Sequence, residues 1–253
     1  MRILFISGEV APFSHSNDLA MVVRTLPEAI HETGEYEIRI LMPRYGTVSE
    51  RRNRLHEVIR LSGSEITVGD TTEVLKVKVA SIPGIRLQVY FMDNTHYFKR
   101  KGIFEDRQGV LFPDNLDRAV YYAKSVLTTI RNLGWQPDLI HVFGWISGFV
   151  PYVLRTEFGE EPLFSDSKII YTPEEVSFDA RLGKNQFESL SLVEHEDLVG
   201  KNANEVGQMF ADAVILPPGS TSDSDVPTFS VDQEEQMEQA VSIYDELLNS
   251  IPA

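Results

Sequence analysis

The chain has 253 residues, of which 42% are hydrophobic and 24% are charged, as in an ordinary globular protein with a large core. Its 38 acidic against 23 basic residues give a formal net charge of -15, which repels a phosphate backbone and so excludes nucleic acid as an expected partner. Because the sequence has no cysteine, disulfides, thiolate nucleophiles and cysteine-based metal sites are excluded as well.

The start of the chain does not have the pattern of a secretory signal. The apolar run at residues 3–6 is short, and Glu9 follows it closely. No apolar run approaches the roughly 20 residues that a helix needs to cross a bilayer. We therefore expect a cytoplasmic protein that does not engage a membrane.

The first 42 residues have the pattern of a strand, a long loop, a helix and a second strand. The first strand is predicted at 2–7 and the second at 37–42, and Asp18 is the expected N-cap of the helix between them. The apolar residues at helical spacing are Leu19, Val22, Val23, Leu26 and Ile30. Such a unit predicts an α/β fold with a Rossmann-like, doubly wound and mostly parallel sheet.

The segment 55–92 differs, because its Val and Ile residues partly alternate with polar ones. It predicts several short strands, including a hairpin beside the main sheet. The other predicted elements are helices at 114–133, capped by Asp114, and 147–158, and strands at 139–142, 168–172 and 213–216.

The sequence divides into a domain at 1–218, a linker at 219–229 and a C-terminal helix at 230–253. The linker is rich in Ser, Thr, Asp and Pro. The helix is acidic but has an apolar stripe, so we expect it to pack on the domain. The stripe consists of Met237, Ala240, Val241, Tyr244, Leu247, Leu248 and Ile251.

The loop after the first strand is where a doubly wound sheet usually binds phosphate. Close approach of a pyrophosphate requires glycines at the start of the helix, but this chain has Asn17 and Asp18 there. A carboxylate at that position favours capping and opposes phosphate binding.

Residues 8–13, which read Gly-Glu-Val-Ala-Pro-Phe, are followed by Leu-Ala-Met-Val at 19–22 and Leu-Pro at 26–27. This order resembles the opening of the glycogen and starch synthase family, retaining glucosyltransferases that extend α-1,4-glucan from ADP-glucose or UDP-glucose. The family's motif begins with Ser where this chain has Gly8. Further similar segments lie at 41–46, 93–104, 114–118, 134–141 and 211–214. The resemblance covers residues 1–217 and implies the N-terminal half of a two-domain GT-B glycosyltransferase.

The chain departs from the family pattern at the positions that the resemblance assigns to the sugar nucleotide. The family's Lys falls at His15, and its two glycines fall at Asn17 and Asp18. A His/Asn-Asp-Trp-His/Gln motif becomes Phe-Gly-Trp-Ile at 143–146, and Thr-Ile-His-Asn becomes Thr-Pro-Glu-Glu at 172–175. The family's C-terminal domain, which holds most of the donor, has no counterpart in the sequence.

Two residues remain candidates for a degenerate catalytic site. His141 ends a strand, where a ligand would bind, but a hydrogen bond within the core is an equal alternative. Trp145 could stack on a sugar, although a packed aromatic is the favoured interpretation. The candidates for substrate binding are Glu9, His15, Asn17, Asp18, Arg100, Asn115 and Arg118.

Several of these candidates also have a simpler structural explanation. His15 is interpreted as an exposed loop residue, and Arg100 and Arg118 as members of ion pairs in an acidic chain. Glu174 and Glu175 are adjacent on an extended segment and so point to opposite sides. The acidic run at 194–197 is interpreted as solvated, so neither a metal nor a cofactor is expected.

These observations predict a protein that is like the catalytic domain of glycogen or starch synthase and is inactive alone. We expect weak binding of sugar nucleotide or glucan, and a protein partner that supplies a second domain. One alternative is a half-enzyme that is active only with a separately encoded C-terminal domain. The other is a regulatory or binding module without catalysis.

Overall fold

A computed structural model describes residues 1–190, 192, 196–221 and 225–249. The strands are β1 (Arg2–Ser7), β2 (Glu37–Pro43), β3 (His56–Glu57), β4 (Ser64–Val68), β5 (Thr71–Ser81), β6 (Gln88–Asp93), β7 (Leu139–Phe143), β8 (Lys168–Thr172) and β9 (Ala213–Val214). The helices are α1 (Leu19–Glu32), α2 (Glu50–Asn53), α3 (Asn115–Leu133), α4 (Val150–Val153), α5 (Gln186–Leu190), α6 (Ala203–Phe210) and α7 (Gln233–Asn249).

The strands form a sheet in the order β3-β5-β6-β2-β1-β7-β8-β9, with β4 paired to β5. In the part of the sheet that runs β6-β2-β1-β7-β8-β9, all neighbouring strands are parallel. The chain adds β2 on one side of β1 and later adds β7 on the other side, so the topology switches direction at β1. In such sheets ligands bind beyond the carboxyl ends of the strands at the switch. The predicted Rossmann-like fold is confirmed.

The segment that was expected to hold short strands forms the antiparallel part of the sheet. β4 and β5 form a hairpin in which Val68 pairs with Thr71, and Gly69 in its turn has a φ of 56°. β5 then pairs antiparallel with β6, which continues into the parallel strands. The predicted hairpin beside the main sheet is therefore confirmed.

Helix α3 is attached to the carboxyl ends of two central strands by one side chain. The fully buried Tyr122 hydroxyl donates to the carbonyl oxygens of Ser7, at 2.9 Å, and Leu41, at 2.9 Å. Asp114 does not cap this helix with its side chain, contrary to the sequence prediction, because its carboxylate is paired with Arg100.

The predicted helix at 147–158 is interrupted. A 3-10 turn at Trp145–Ser147 precedes α4, and a π-helical turn at Leu154–Phe158 follows it. Pro151 is the second residue of α4, where its missing N–H costs no helical hydrogen bond. The segment is helical, as predicted, but it is not one continuous α-helix.

Helix α7 packs against α1, with Ala240 and Tyr244 fully buried. The Tyr244 hydroxyl lies 2.7 Å from Nδ1 of His141, and Nε2 of the same ring lies 3.0 Å from the Thr172 hydroxyl. Burial lowers the pKa of His141 well below its ordinary value, so the ring is neutral at neutral pH.

Residues 222–224 of the predicted linker and 250–253 of the predicted helix lie outside the described residues. The division into domain, linker and helix stays a prediction.

None of the helices in the described ranges is long and apolar enough to cross a bilayer.

The contact between Tyr244 and His141 predicts how much α7 contributes to stability. Tyr244→Phe leaves Nδ1 of His141 without its partner and should lower the free energy of unfolding by about 1–3 kcal/mol. Tyr244→Ala also opens a cavity and should cost about 3–5 kcal/mol. Urea unfolding measures both. Glu246→Ala, on the exposed face of α7, is the control and should change stability by less than about 0.5 kcal/mol; equal effects of all three changes would contradict the docking.

Candidate functional site

Two buried carboxylates meet beyond the carboxyl ends of the central strands. Glu9 follows β1 and is 5% exposed, and Glu174 follows β8 and is 9% exposed. Asn17, just before α1, joins them, because its Nδ2 donates to Glu9 Oε2 at 3.2 Å and to Glu174 Oε1 at 2.5 Å. We call Glu9, Asn17 and Glu174 the carboxylate cluster.

The loop between β1 and α1 folds around Glu9. Its carboxylate accepts hydrogen bonds from the hydroxyls of Ser14 and Ser16 and from the backbone N–H of Ser16, at 3.1 Å. Serine and asparagine donors therefore satisfy a charge that burial would otherwise disfavour. The charge of Glu9 fixes the loop at the edge of the sheet where a phosphate would otherwise bind.

Glu174 is held through both its side chain and its backbone. Its Oε2 accepts from the backbone N–H of Trp145 at 2.9 Å, and the Asn204 side chain bonds its backbone N–H, at 3.2 Å, and carbonyl, at 2.6 Å. Burial raises the pKa of Glu174 to about 7, and the charge of Glu9 acts in the same direction, against the hydrogen bond from Trp145. Glu174 is therefore partly protonated near neutral pH.

Two glycines make room for this arrangement. Gly144 has a φ of 85°, and a Cβ there would lie 2.9 Å from Glu174 Oε2. A Cβ on Gly8 would lie 2.6 Å from Cγ2 of Ile146. The resembled family has Asp at position 144 and Ser at position 8, so each departure to glycine accompanies a side chain that now occupies the neighbouring space.

A cavity of about 540 Å³ opens beside the carboxylate cluster. Its wall includes the carboxylates of Asp18, Glu174 and Glu175, and among the described residues no Lys, Arg or His lines it. We call it the acidic cavity. A second cavity of about 500 Å³ shares residues 174–177 with it and adds Lys101, Phe104 and other residues of 101–106.

Asp18 lies at the N-terminus of α1, but it does not cap the helix as the sequence predicted. Its backbone is helical, with φ -70° and ψ -26°, and its side chain makes no capping hydrogen bond. The Oδ1 of Asn17 accepts from the backbone N–H of Ala20 at 3.1 Å instead. The cap is one residue earlier, and this leaves the exposed Asp18 carboxylate facing the acidic cavity.

The other predicted binding residues do not join the cluster. His15 is exposed in the loop. Arg100 pairs with Asp114 through two hydrogen bonds of 2.6 and 2.5 Å. Arg118 was expected in an ion pair, but among the described residues it has none. It is fully buried and donates to the carbonyl of Tyr97, at 2.8 Å, and to Asn115 Oδ1, at 2.7 Å. Burial lowers the pKa of Arg118 to about 10.

His141 and Trp145 are both fully buried, and neither lines the two cavities that the described residues form at this edge. The Trp145 ring packs edge-on against Phe104 and Phe178, with centroids 5.6 and 5.1 Å apart. Neither ring has an open face for a ligand, which agrees with the structural alternatives stated for both.

Sequence reasoning considered Glu174 only as the neighbour of Glu175. It stated correctly that the two diverge, since Glu174 is buried and Glu175 is exposed. It missed that Asn17 joins Glu174 to Glu9, which are 165 positions apart in the sequence. The available signal was that each acid comes two residues after the end of a predicted strand, at the same edge of the predicted sheet.

Within the described ranges, no group of three or more His, Cys, Asp or Glu side chains is arranged to hold a metal ion. Residues 194 and 195 of the acidic run at 194–197 lie outside those ranges.

The family model for the starch synthase catalytic domain matches residues 2–216 of this chain. The chain belongs to that family. Glycogen synthase from Chlorobium limicola is 36% identical over 244 residues, which cover 88% of this chain and 48% of that protein. Glycogen synthase from Chlorobium phaeobacteroides is 40% identical over 172 residues, covering 68% and 35% of the two chains. The chain thus spans about half the length of the first of these relatives.

A solved structure gives the same fold. The catalytic domain of starch synthase IV from Arabidopsis thaliana, bound to ADP and acarbose, superposes with a TM-score of 0.72. The sequence identity is 17%, and the match covers 97% of this chain and 50% of that one. For this member of the starch synthase catalytic-domain family, the likeness supports the architecture described above.

The raised pKa of Glu174 predicts a dependence of stability on pH. Unfolded Glu174 ionises near 4.5 and the folded residue near 7, so the folded state holds more protons between these values. Stability should therefore fall as pH rises from 4.5 to 7, by up to about 1.4 kcal/mol per pH unit. Glu174→Gln should remove this slope in urea unfolding.

Two comparisons isolate the effect. The buried His141 makes stability fall as pH drops below 6.5, but this slope is common to both proteins and cancels in their difference. Glu175→Gln, at the exposed neighbour, should keep the wild-type profile. A difference curve between wild type and Glu174→Gln that is flat from pH 4.5 to 7 would refute the assignment.

Proposed function

We propose that this domain binds glucan at the carboxyl edge of its sheet and does not by itself transfer glucose from a sugar nucleotide. The observation that carries the proposal is the acidic cavity, where Asp18, Glu174 and Glu175 meet at the N-terminus of α1. No basic side chain among the described residues lines it.

Glucosyl transfer releases a nucleoside diphosphate, whose developing charge needs electrostatic support. The N-terminus of α1 would ordinarily supply part of it. Here the backbone N–H of Ala20 already donates to Asn17 Oδ1, and the exposed Asp18 adds negative charge at the same helix end. A diphosphate would also meet Glu174 and Glu175, so the electrostatics oppose both binding of the donor and departure of the leaving group.

A neutral glucan fits the same surface better. Carboxylates and amides accept hydrogen bonds from sugar hydroxyls without a charge conflict. The second cavity adds the half-buried rings of Phe104 and Phe178, with centroids 5.0 Å apart. Aromatic rings provide an apolar face on which a sugar ring can pack.

A second candidate function is a half-enzyme that requires another polypeptide. The observation that favours it is the family likeness, since the chain is 36% identical to the glycogen synthase of Chlorobium limicola over 244 residues. In that case a C-terminal half supplied separately would bring the cations that the acidic cavity lacks.

We expect no incorporation of labelled glucose from ADP-glucose into glycogen by the isolated chain. Incorporation above a no-protein blank would refute the first proposal. Adding the C-terminal half of the Chlorobium limicola glycogen synthase separates the two candidates, because glucose is incorporated only if the chain is a half-enzyme.

Calorimetry should detect binding of maltoheptaose to the isolated chain. Phe178→Ala should weaken this binding, whereas Tyr90→Ala, which alters a half-buried ring on β6, should leave it unchanged.

The charge of Asp18 can be tested without disturbing the carboxylate cluster. Asp18→Asn keeps the size of the side chain and removes one charge from the N-terminus of α1. Binding of ADP-glucose should strengthen by about two- to fivefold, as expected for one charge near a helix end. The control is Asp166→Asn, an exposed acid that precedes β8 at the opposite edge of the sheet. Equal affinities for both variants would show that Asp18 does not oppose the diphosphate.

A further inference from the structure

A cavity of about 860 Å³ is lined by the end of α2, β3 and the β5–β6 loop, together with Phe13 of the β1–α1 loop. The end of α2 and β3 contribute Arg52, Arg54 and His56, and the β5–β6 loop contributes Arg86. The antiparallel pairing of His56 with Val79 brings these two segments together. We call it the basic cavity.

We propose that the basic cavity is a binding site for a small organic phosphate, such as a sugar monophosphate. Three guanidinium groups and an imidazole line it, and no carboxylate of the described residues does. Guanidinium groups donate in a planar fork that matches phosphate oxygens, which makes Arg the preferred residue for such ligands.

The arginines of the basic cavity differ from those that are held by acids of the chain. With a net charge of -15, acids are plentiful, and several arginines elsewhere pair with them. Arg44 lies 2.5 Å from Glu50, and Arg155 lies 2.6 Å from Asp212. Within the described part of the chain, by contrast, no ion pair involves the three arginines of the basic cavity. Their charges remain available for an external anion.

The backbone at Arg54 points to the same conclusion. Its φ of 53° and ψ of 40° place it in the left-handed region, and it is the one non-glycine residue described with a positive φ. Glycine or asparagine is the usual choice at this position after a helix. Strained backbone of this kind concentrates at ligand sites.

The size and apolar part of the basic cavity indicate more than a bare anion. Phe13 and Ile82 are buried in its wall, at 7% and 1% exposure, and Ile85 is half-buried there. A volume of about 860 Å³ falls within the range of small-molecule sites. A polyanion such as nucleic acid would meet the repulsion of the whole surface, whereas a small phosphate meets only the local charge.

Calorimetric titration at constant ionic strength tests the site, with glucose 6-phosphate as the probe and glucose as its uncharged counterpart. Glucose 6-phosphate should bind, inorganic phosphate should bind more weakly, and glucose should not bind here. The double change Arg54→Ala with Arg86→Ala should lower the affinity for glucose 6-phosphate by about tenfold or more.

Arg60→Ala is the matched control, since Arg60 is exposed nearby but does not line the basic cavity. It removes one positive charge and should leave the affinity within about twofold, as expected for an exposed charge screened by salt. Thermal melts establish that all variants fold. Absence of binding, or equal binding by the double variant and the wild type, would overturn the proposal. Equal affinity for glucose and its phosphate, or tight binding of an oligonucleotide instead, would do so as well.

Discussion

The burial of two carboxylates at one sheet edge is the constraint on which the surrounding structure depends. Charges in such a place need donors within reach or must take up a proton. Glu9 obtains hydroxyl and backbone donors from its own loop. Glu174 obtains a backbone N–H from the segment after β7 and remains partly protonated near pH 7. Asn17 is the residue that serves both acids, so loop, helix start and strand ends are fixed together.

The same constraint explains why the chain departs from its family at several positions at once. With Glu174 in place, any Cβ at position 144 would come too close to its carboxylate. The space at Gly8 is likewise filled by Ile146. These positions are therefore coupled in pairs. The family's Asp at position 144 would clash with Glu174, and its Ser at position 8 would clash with Ile146. We infer that the edge differs from the family pattern as a whole, with Asn17 and Asp18 where that pattern has two glycines and His15 where it has a lysine.

More distant elements hold the strand ends that carry this edge. Tyr122 of α3 bonds the carbonyls at the ends of β1 and β2. A second connection runs from Tyr244 of α7 through His141 to the hydroxyl of Thr172, two residues before Glu174. Because this path is buried and its histidine is neutral, it stabilises the end of β8 without adding charge to the site.

The sequence by itself determined the fold class, because a strand period, a helix period and their order along the chain are local properties. It also determined the acidic character and the family, since ordered motifs survive even where single residues have changed. Only the tertiary structure decided which acids meet. Glu9 and Glu174 are separated by 165 positions, and their shared bond to Asn17 depends on the parallel register of β1, β7 and β8. It likewise decided that Asn17 caps α1 instead of Asp18, and that His141 and Trp145 face the core. Such outcomes depend on which donors and which space lie opposite each side chain, and the periodicity of a sequence does not contain that information.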